Sequence, residues 1–477
     1  MKMKNNSVLN TDSFDKRRFK QILEMSENMQ ALSKNGQELL PTFPELLGDV
    51  WASLYKMNPR IQEEVSEGLE TNQLLMGSIM NDGAFQNFRE FTRLDDLSSA
   101  IGSVKFGEKT NEWLIEQEER NKELQKQLEE ARKQQRELQQ QQQMKEPSEG
   151  DKKKQQEAGQ KLQQALQQAA QELQKGNQDL GRALAEAVQE TRETKNHLKS
   201  LLSGTQAGNG EAELKKVPLR DQIVLAEKMS TNDKLKEIAE WAGRFKQIAR
   251  KKQKSKYDES VERSGIIIGN QIERLMPMEL AQYASPITKI DFLRRFAEGE
   301  LFQYEQKGKE TLGKGPVVLC LDQSGSMNDM DTQAKGFALA LMSIARKQKR
   351  DFALILFSTD TKTMEYEKGK IKPHDMVELA QTFLGGGTYF DRPLKSALQV
   401  IEKSRFKKAD VIFVTDGEAY LKPEFIKELN RKKREKEFSI LSILLGTENA
   451  KTVKEFAEKI VKAKDFTDET SQTAFEI

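Results

Sequence analysis

The sequence predicts an α/β C-terminal domain with a doubly wound, mostly parallel sheet of Rossmann-like type, preceded by an all-α N-terminal region with a coiled-coil segment. Residues 313–477 alternate short apolar strand runs with amphipathic helices, which is typical of a parallel sheet covered on both faces. Residues 10–105 place apolar residues at helical spacing between helix caps and prolines. Residues 108–203 carry leucines and alanines in alternating steps of four and three, which is typical of a coiled-coil seam.

Composition limits the classes of protein to which the chain can belong. With 477 residues it exceeds one ordinary core, so we expect two or three domains. The 77 basic and 75 acidic residues leave a formal net charge of +2, so no global field attracts nucleic acid, and none is expected as a partner. The single cysteine, Cys320, excludes a disulfide framework and lies inside an apolar strand run, where we expect a small core residue in a reducing compartment.

Neither a secretion signal nor a membrane span is expected. The start of the sequence, from Met1, has no apolar segment behind it of the kind that a signal peptide carries. No run approaches the roughly 18 apolar residues that a membrane-spanning helix needs. We therefore expect a cytoplasmic protein with at most peripheral membrane contact.

Residues 10–105 are predicted to form a helical domain without catalytic chemistry. Prolines at 41 and 44 break the chain before a helix with one broad apolar face. A later helix carries three phenylalanines at a spacing of three, which we expect in the core: Phe85, Phe88 and Phe91. The residues that offer N-caps to the first helix, which is expected to reach Met29, are Thr11, Asp12 and Ser13.

Residues 108–203 are predicted to form a coiled-coil or helical hairpin that is partly mobile. The seam breaks at residues 147–150, which contain proline and glycine, and then resumes, as in two antiparallel helices. A long coiled coil through which two chains self-associate is the alternative. The seam positions are Leu124, Leu128, Ala131, Gln135 and Leu138, then Leu162, Leu166, Ala169, Leu173, Leu180, Ala183 and Ala187.

Between the coiled coil and the C-terminal domain we predict a linker at residues 204–218 and a helical connector at 219–310. In the connector, Asn232 and Asp233 can cap a helix that ends in the basic run 250–256. We expect this run to be a solvated helix end whose charge complements the helix dipole. Contact with anionic lipid head groups or nucleic acid is the alternative.

Residues 313–477 are predicted to fold as one domain. The first strand run begins at Pro316 and is too short for a buried helix, as expected of a buried parallel strand. The predicted strands are 316–321, 352–357, 363–366, 411–414, 438–445 and a short run at 463–466. The predicted helices are 332–348, 373–383, 391–401, 423–434 and 450–460.

The first strand ends in oxygen-bearing side chains. Asp322, Ser324 and Ser326 stand at alternating positions, and Gly325 allows a tight turn between them. Open α/β sheets bind ligands beyond the carboxyl ends of their strands. Period-two spacing directs the three side chains to one side of an extended turn, where hard oxygen ligands suit a hard cation such as Mg²⁺ or Mn²⁺.

Two later stretches complete a pattern. Three glycines precede Thr388, and a second apolar strand run ends in Thr-Asp416-Gly. Together with Asp322, Ser324 and Ser326, in this order, they resemble the metal-ion-dependent adhesion site of von Willebrand factor A domains. The resemblance covers residues 313–477. It implies that Ser324 and Ser326 bind the metal directly, that Asp322 and Asp416 act largely through water, and that Thr388 does either. An open position would then accept a carboxylate from a partner protein.

The sequence does not predict an enzyme. It lacks the Gly-x-x-x-x-Gly-Lys-Ser/Thr loop that cradles a nucleotide, and the glycine loop before Thr388 has no lysine. His197 and His374, the two histidines, lie near no nucleophile motif and are expected at the surface. Asp329 and Asp331 are expected as first-turn acids at a helix N-terminus, with support of the metal site as the alternative.

The whole-chain layout resembles the bacterial ViaA-like proteins. The carriers of this resemblance are the Asp-x-Ser-Gly-Ser-Met loop that begins at Asp322 and the segments 274–280 and 335–342. It implies a non-catalytic, metal-dependent adaptor that links a MoxR-type AAA+ ATPase to client protein complexes in chaperone-like remodelling. A self-assembling coiled-coil scaffold and a peripheral binder of anionic membrane or nucleic acid are the alternative functions.

Overall fold

The computed structural model describes residues 6–142, 149–174, 180–202, 209–259, 261–272, 275–308, 315–368, 370–406 and 408–476. The described residues divide into two compact units, of which the first ends at residue 239 and the second begins at residue 240. Within the described residues, no helix is both long and apolar enough to cross a membrane.

Helices build the first unit. They are α1 (Ser13–Met25), α2 (Glu27–Leu39), α3 (Phe43–Tyr55), α4 (Glu70–Asn81), α5 (Gly83–Thr92), α6 (Asp96–Arg120), α7 (Lys122–Gln142), α8 (Glu149–Gln174), α9 (Leu180–Leu202), α10 (Asn209–Lys215) and α11 (Leu219–Thr231). A further helix, α12 (Asp233–Glu259), begins in the first unit and continues into the second.

Side-chain caps set the first helix boundaries. The Asp12 carboxylate accepts hydrogen bonds from the backbone N–H groups of Phe14 and Asp15, while the Asp15 carboxylate accepts from the N–H of Asp12. This reciprocal cap fixes the start of α1 where the sequence predicts it. The helix does not continue to Met29 as predicted, because the Ser26 hydroxyl accepts from the Met29 N–H at 3.0 Å and starts α2 instead.

The phenylalanine stripe of α5 is only partly in the core. Phe85 and Phe88 are buried, whereas Phe91 is 58% exposed. Three residues fall about 60° short of a helical turn, so a spacing of three rotates off the buried face by the third residue. The Arg192 guanidinium instead covers the Phe91 ring at 4.6 Å from its centroid.

Part of the predicted seam is buried between two helices of the chain. Helices α7 and α8 pack side by side, and the Asn121 amide at the start of α7 donates to the Glu172 carboxylate near the end of α8 at 3.0 Å. The pair is therefore antiparallel. The break predicted at residues 147–150 lies largely outside the described residues. Buried seam residues include Leu124, Leu128, Ala131, Leu166, Ala169 and Leu173.

Two predicted boundaries of the first unit were wrong. Helix α6 runs without a break through the boundary between residues 105 and 108, and a Cβ on its Gly107 would lie within 2.9 Å of Leu32 and Leu47 side-chain atoms. The close packing of α6 against these two leucines therefore requires a glycine at position 107. The predicted linker 204–218 contains α10, which buries Leu214.

The predicted connector is not helical throughout. Its helix α12 buries the predicted face, including Ala242, Phe245 and Ala249. Beyond it, β1 (Val261–Gly269) pairs in antiparallel fashion with β2 (Leu301–Gly308), and α13 (Pro277–Ala284) and α14 (Lys289–Glu298) lie between them. The β-branched run of three isoleucines at 266–268 favours a strand over a helix, which explains this correction.

The second unit contains the predicted doubly wound sheet. Its six strands run in the order β5-β4-β3-β6-β7-β8, and every pair is parallel except the edge pair of β4 with β5. The strands are β3 (Val317–Asp322), β4 (Phe352–Phe357), β5 (Thr361–Tyr366), β6 (Asp410–Thr415), β7 (Ser439–Leu445) and β8 (Lys459–Ala463). The helices are α15 (Asp331–Lys347), α16 (Pro373–Gln381), α17 (Asp391–Glu402) and α18 (Pro423–Lys436).

Helices cover both faces of this sheet. Cys320 of the central strand β3 is buried in the cluster that α17 and α18 complete, as its position in the strand run predicts. The other face packs against α15, where Phe337 contacts Phe245 of α12 with ring centroids 6.0 Å apart. Because β3 is central and parallel to β4 and β6, its carboxyl end lies beside theirs.

One predicted helix of this domain was wrong. Residues 450–460 form a 3-10 turn at Val453–Glu455 and then enter strand β8, which also replaces the short strand predicted at 463–466. Apolar residues at 453, 456 and 460 have the spacing of a helix. In the structure, however, Val453 and Phe456 lie in and just after the 3-10 turn, and both side chains are buried in the core.

Candidate metal centre

Asp322 is the last residue of β3 and is fully buried. Its Oδ1 accepts a hydrogen bond from the backbone N–H of Ser324 at 2.9 Å, and its Oδ2 accepts from the Thr415 hydroxyl at 2.6 Å. Thr415 ends the neighbouring strand β6 and also accepts from the Gly417 N–H at 3.1 Å. Both carboxylate oxygens of Asp322 are thus held in place, one by the turn after β3 and the other by the end of β6.

The two serines and the second aspartate lie in front of this carboxylate. The Ser324 and Ser326 hydroxyl oxygens are 3.1 Å apart, and the Ser326 hydroxyl donates to Asp416 Oδ1 at 3.0 Å. Exposure increases along this series, since Ser324 is buried, Asp416 is half-buried and Ser326 is exposed. The oxygens therefore line a site that opens to solvent at the carboxyl end of the sheet.

The glycine loop closes one side of the site. Gly325 donates its N–H to the Gly386 carbonyl at 2.8 Å, and Gly385 donates to the Gln323 carbonyl at 3.0 Å, so the loop is bonded directly to the turn after β3. Gly386 has a φ of +92°, which favours glycine, and a Cβ there would lie 2.6 Å from Thr359 Oγ1.

Thr388 follows this loop and lies beside the end of β6. Its Oγ1 is 3.7 Å from the position that a Cβ on Gly417 would occupy, next to Asp416. The structure therefore brings all five predicted residues to one end of the sheet, with direct bonds among Asp322, Ser324, Ser326 and Asp416 and with Thr388 on the adjoining loop.

The local electrostatics favour a cation. Burial raises the pKa of Asp322, and the charge of Asp416 raises it further, although bonds from Thr415 and Ser324 oppose both effects. In the part of the chain that the structure describes, no lysine or arginine forms an ion pair with either carboxylate. Two acids thus share one site without a countercharge from the protein.

The oxygen geometry fits a small divalent ion. Adjacent corners of an octahedron with metal–oxygen distances of about 2.1 Å are about 3.0 Å apart. The separation between the two serine hydroxyl oxygens, 3.1 Å, matches that edge, and the Asp416 carboxylate is hydrogen-bonded to Ser326 beside them at 3.0 Å. Since hydroxyl and carboxylate oxygens are ligands that Mg²⁺ and Mn²⁺ accept, the residues present fit such an ion. Among the described residues, no three His, Cys, Asp or Glu side chains lie close enough together to hold a metal ion. The candidate site combines carboxylates with hydroxyl groups instead.

A family model agrees with this fold and position. The von Willebrand factor type A domain model matches residues 317–418, which run from the start of β3 to just past Asp416. The chain belongs to the von Willebrand factor A domain proteins.

Relatives of this von Willebrand factor A domain protein extend the similarity beyond the domain. Uncharacterized protein MJ0811 of Methanocaldococcus jannaschii is 28% identical over 99% of this chain and 99% of its own length. MJ0077 of the same organism is 30% identical over 60% of this chain and 73% of its own. The regulatory protein ViaA of Photorhabdus laumondii is 28% identical over 41% of this chain and 46% of its own.

The sequence did not indicate the roles of two residues beside the von Willebrand factor A site. Thr415 belongs to the Thr-Asp416-Gly stretch, but as a β-branched residue it is also an ordinary strand residue. The register of β6 against β3 brings its hydroxyl to Asp322. Thr359, after β4, holds the glycine loop by accepting from the Gly387 N–H at 2.9 Å. No spacing in the sequence signals that contact.

Asp331 has a structural role beneath the site. It is buried and accepts from Lys335 Nζ at 2.7 Å and from the Gln323 amide at 3.2 Å. Asp331 is thus a first-turn acid of α15, as predicted, but a buried one, whereas Asp329 is exposed and precedes the helix. His374 is exposed as predicted and His197 is half-buried, so neither contributes to this site.

Proposed function

We propose that the chain is a non-catalytic adaptor that binds protein partners through a divalent metal ion at the carboxyl end of its sheet. The observation that carries this proposal is the convergence of the Ser324 and Ser326 hydroxyl oxygens, 3.1 Å apart, with the buried Asp322 and with Asp416, which accepts from the Ser326 hydroxyl. Membership of the von Willebrand factor A domain proteins supports it.

The hydrogen bonds of Asp322 support its role in the site, and the resemblance to von Willebrand factor A domains implies the roles of the other residues. Both oxygens of Asp322 accept bonds from protein donors, so this carboxylate acts on the ion through water or through Ser324. Ser324 and Ser326 bind the ion directly, Asp416 acts largely through water, and Thr388 binds directly or through water. Mg²⁺, or Mn²⁺ in its place, supplies a positive centre that retains an exchangeable position for an oxygen of the partner.

The partner offers a carboxylate to that position. Because Ser326 is exposed, an incoming side chain reaches the ion from solvent at this edge of the sheet. On the resemblance to ViaA-like proteins, we propose a MoxR-type AAA+ ATPase as one partner and a client protein complex as the other. The similarity to the regulatory protein ViaA supports a regulatory role through protein contacts.

Titration calorimetry tests the metal site. We expect the full chain to take up Mg²⁺ or Mn²⁺, and Ser324→Ala to lose this binding, because it removes one direct ligand. Ser439→Ala is the matched control, since Ser439 is an exposed serine at the opposite end of the sheet in β7. Retention of full metal affinity in Ser324→Ala would overturn the assignment of the ligands.

Co-purification tests the partner. A MoxR-type ATPase should be retained on the immobilised chain with Mg²⁺ present and released by EDTA. Asp322→Ala should weaken retention, whereas Glu435→Ala, which changes an exposed acid in the last turn of α18, should leave it intact. Equal retention with Mg²⁺, with EDTA and by Asp322→Ala would contradict metal-mediated docking.

A further inference from the structure

Exposed apolar side chains are concentrated at one place in the sheet domain. Among the described residues of 315–476, the exposed large hydrophobic side chains are those of Phe383, Tyr389 and Tyr420, which are 41%, 50% and 78% exposed. All three follow strands or helices at the carboxyl end of the sheet, on the loops that carry Thr388 and Asp416. The described part of this domain shows no such residue elsewhere on its surface.

These aromatic residues adjoin the candidate metal centre from two sides. Phe383 precedes the glycine loop, and its Cε1 is 3.7 Å from the position that a Cβ on Gly385 would occupy. Tyr389 directly follows Thr388, and Tyr420 lies three residues beyond Gly417. Since Thr388 Oγ1 lies 3.7 Å from the Cβ position of Gly417, the loops of Tyr389 and Tyr420 are neighbours.

Internal packing does not account for the exposure of these rings. Lys335 Nζ lies 5.8 Å from the Phe383 centroid and the Arg392 guanidinium lies 5.8 Å from the Tyr389 centroid, yet both rings stay exposed. Within the described residues, Tyr420 has no ring contact or hydrogen bond. Clustered exposed aromatic side chains in a fold are typical of contact sites rather than of core packing.

We propose that Phe383, Tyr389 and Tyr420 form an aromatic collar around the metal centre and select a partner segment in which one carboxylate is flanked by aliphatic or aromatic side chains. This inference rests on the proposed metal-dependent binding and deepens it. A metal ion alone would accept almost any exposed Asp or Glu. Aromatic anchors beside it add apolar contacts that only a suitable flanking sequence can make.

The charges at this end of the sheet restrict the partner further. Asp329 is an exposed carboxylate in the turn after β3 and has no ion pair among the described residues, whereas Asp360, exposed after β4, is paired with Arg392 at 3.1 Å. Asp329 disfavours a partner that brings a run of acids, because like charges across an interface are unfavourable. The occupant that fits is therefore a single acid within an apolar segment of another protein.

Fluorescence anisotropy with labelled peptides tests the collar on the full chain. The peptides carry a central Glu flanked on both sides by Leu, Phe, Ser or Asp, and each is titrated in excess Mg²⁺ and in EDTA. We expect the Leu and Phe peptides to bind about 10-fold or more tightly than the Ser and Asp peptides, since anchors of this type dominate interfaces. Replacing the central Glu by Gln should abolish the Mg²⁺-dependent binding.

Two triple variants make the comparison specific. Phe383→Ala/Tyr389→Ala/Tyr420→Ala should bind all Glu peptides with the weak affinity of the Ser peptide. The control Phe14→Ala/Met57→Ala/Ile115→Ala removes side chains of similar exposure, 55%, 58% and 42%, from the first unit and should keep the preference. A preference that survives in the collar variant, or that the control loses, overturns the inference.

Calorimetry on the same variants separates this inference from the metal proposal. The collar variant should retain Mg²⁺ affinity, because none of its three residues is a predicted ligand. Mg²⁺ uptake with equal binding of Ser and Leu peptides overturns the collar alone. Absence of Mg²⁺ uptake, with peptide binding unchanged by EDTA, overturns the metal-dependent function itself. A Mg²⁺-dependent dimer that the collar variant abolishes would make a second copy the occupant and overturn the assignment to another protein.

Discussion

The two ends of the C-terminal sheet carry similar acidic residues in opposite electrostatic surroundings. At the amino end, Asp410 pairs with the guanidinium of Arg350, which also donates to the Gly315 carbonyl. At the carboxyl end, Asp322 and Asp416 receive hydrogen bonds from hydroxyl and backbone donors. The first end contains its own countercharge, whereas the second has neutral donors alone.

This difference separates a structural ion pair from a candidate binding site. The Arg350 side chain is 2% exposed, so its charge is stabilised inside the fold and is unavailable to a ligand. The acids at the other end have no ion pair among the described residues, and we propose that a cation from solvent binds beside them at the exposed Ser326. Stability should therefore depend on the amino end, and metal affinity on the carboxyl end.

The largest expected effect comes from breaking the amino end. Arg350→Ala removes a buried side chain and leaves the Gly315 carbonyl without its donor, while Asp410, which is 38% exposed, can be hydrated, so we expect the free energy of unfolding to fall by about 3 kcal/mol. Mg²⁺ affinity should stay unchanged. Urea denaturation and calorimetry measure the two quantities. Lys347→Ala, which changes an exposed cation at the end of α15, three residues before Arg350, is the control and should shift stability by less than about 0.5 kcal/mol.

Metal addition gives the next largest effect and acts through the carboxyl end. A ligand at a hundredfold excess over its Kd stabilises the folded state by about 2.7 kcal/mol. We expect Mg²⁺ to give this increment to the unmodified chain, to Arg350→Ala and to Ser439→Ala. Ser324→Ala should receive none, because a direct ligand is missing. An equal increment in Ser324→Ala would remove the proposed distinction between the two ends.

The backbone of the glycine loop provides the third test. Gly386→Ala places a side chain in a left-handed conformation and within 2.6 Å of Thr359 Oγ1, so we expect a loss of about 1–3 kcal/mol in stability and weaker Mg²⁺ binding. Gly387→Ala is the matched control, since its Cβ would lie 3.9 Å from the same atom. Similar denaturation midpoints for the two variants would contradict the requirement for glycine at 386.

The carboxyl end is also the part of the molecule that the sequence predicts best. The strand pattern predicts that Asp322 and Asp416 lie at the carboxyl end of the sheet, whereas the resemblance to von Willebrand factor A domains predicts that Thr388 joins them. Their identity as metal ligands stays a prediction. Helix 450–460 and the helical connector were wrong because apolar spacing does not distinguish a turn plus a strand from a helix. Phe302, expected on a helix, pairs with Ile268 across β1 and β2.

The hydrogen bond from Thr415 to Asp322 could not be predicted from the sequence, and its removal gives the smallest predicted effect. Thr415→Val keeps the strand shape but removes the hydroxyl that donates to Asp322 and accepts from the Gly417 N–H. Residues that orient a metal ligand typically contribute 10–100-fold to affinity, so we expect a loss of about 10-fold in Mg²⁺ affinity by calorimetry. Thr415→Ser retains the hydroxyl and should restore binding. Equal Mg²⁺ affinity in the Val and Ser variants would show that the Ser324 N–H alone is enough to orient Asp322. The Thr415 hydroxyl would then be dispensable for metal binding, in contrast to the expected requirement of Arg350 for stability at the amino end.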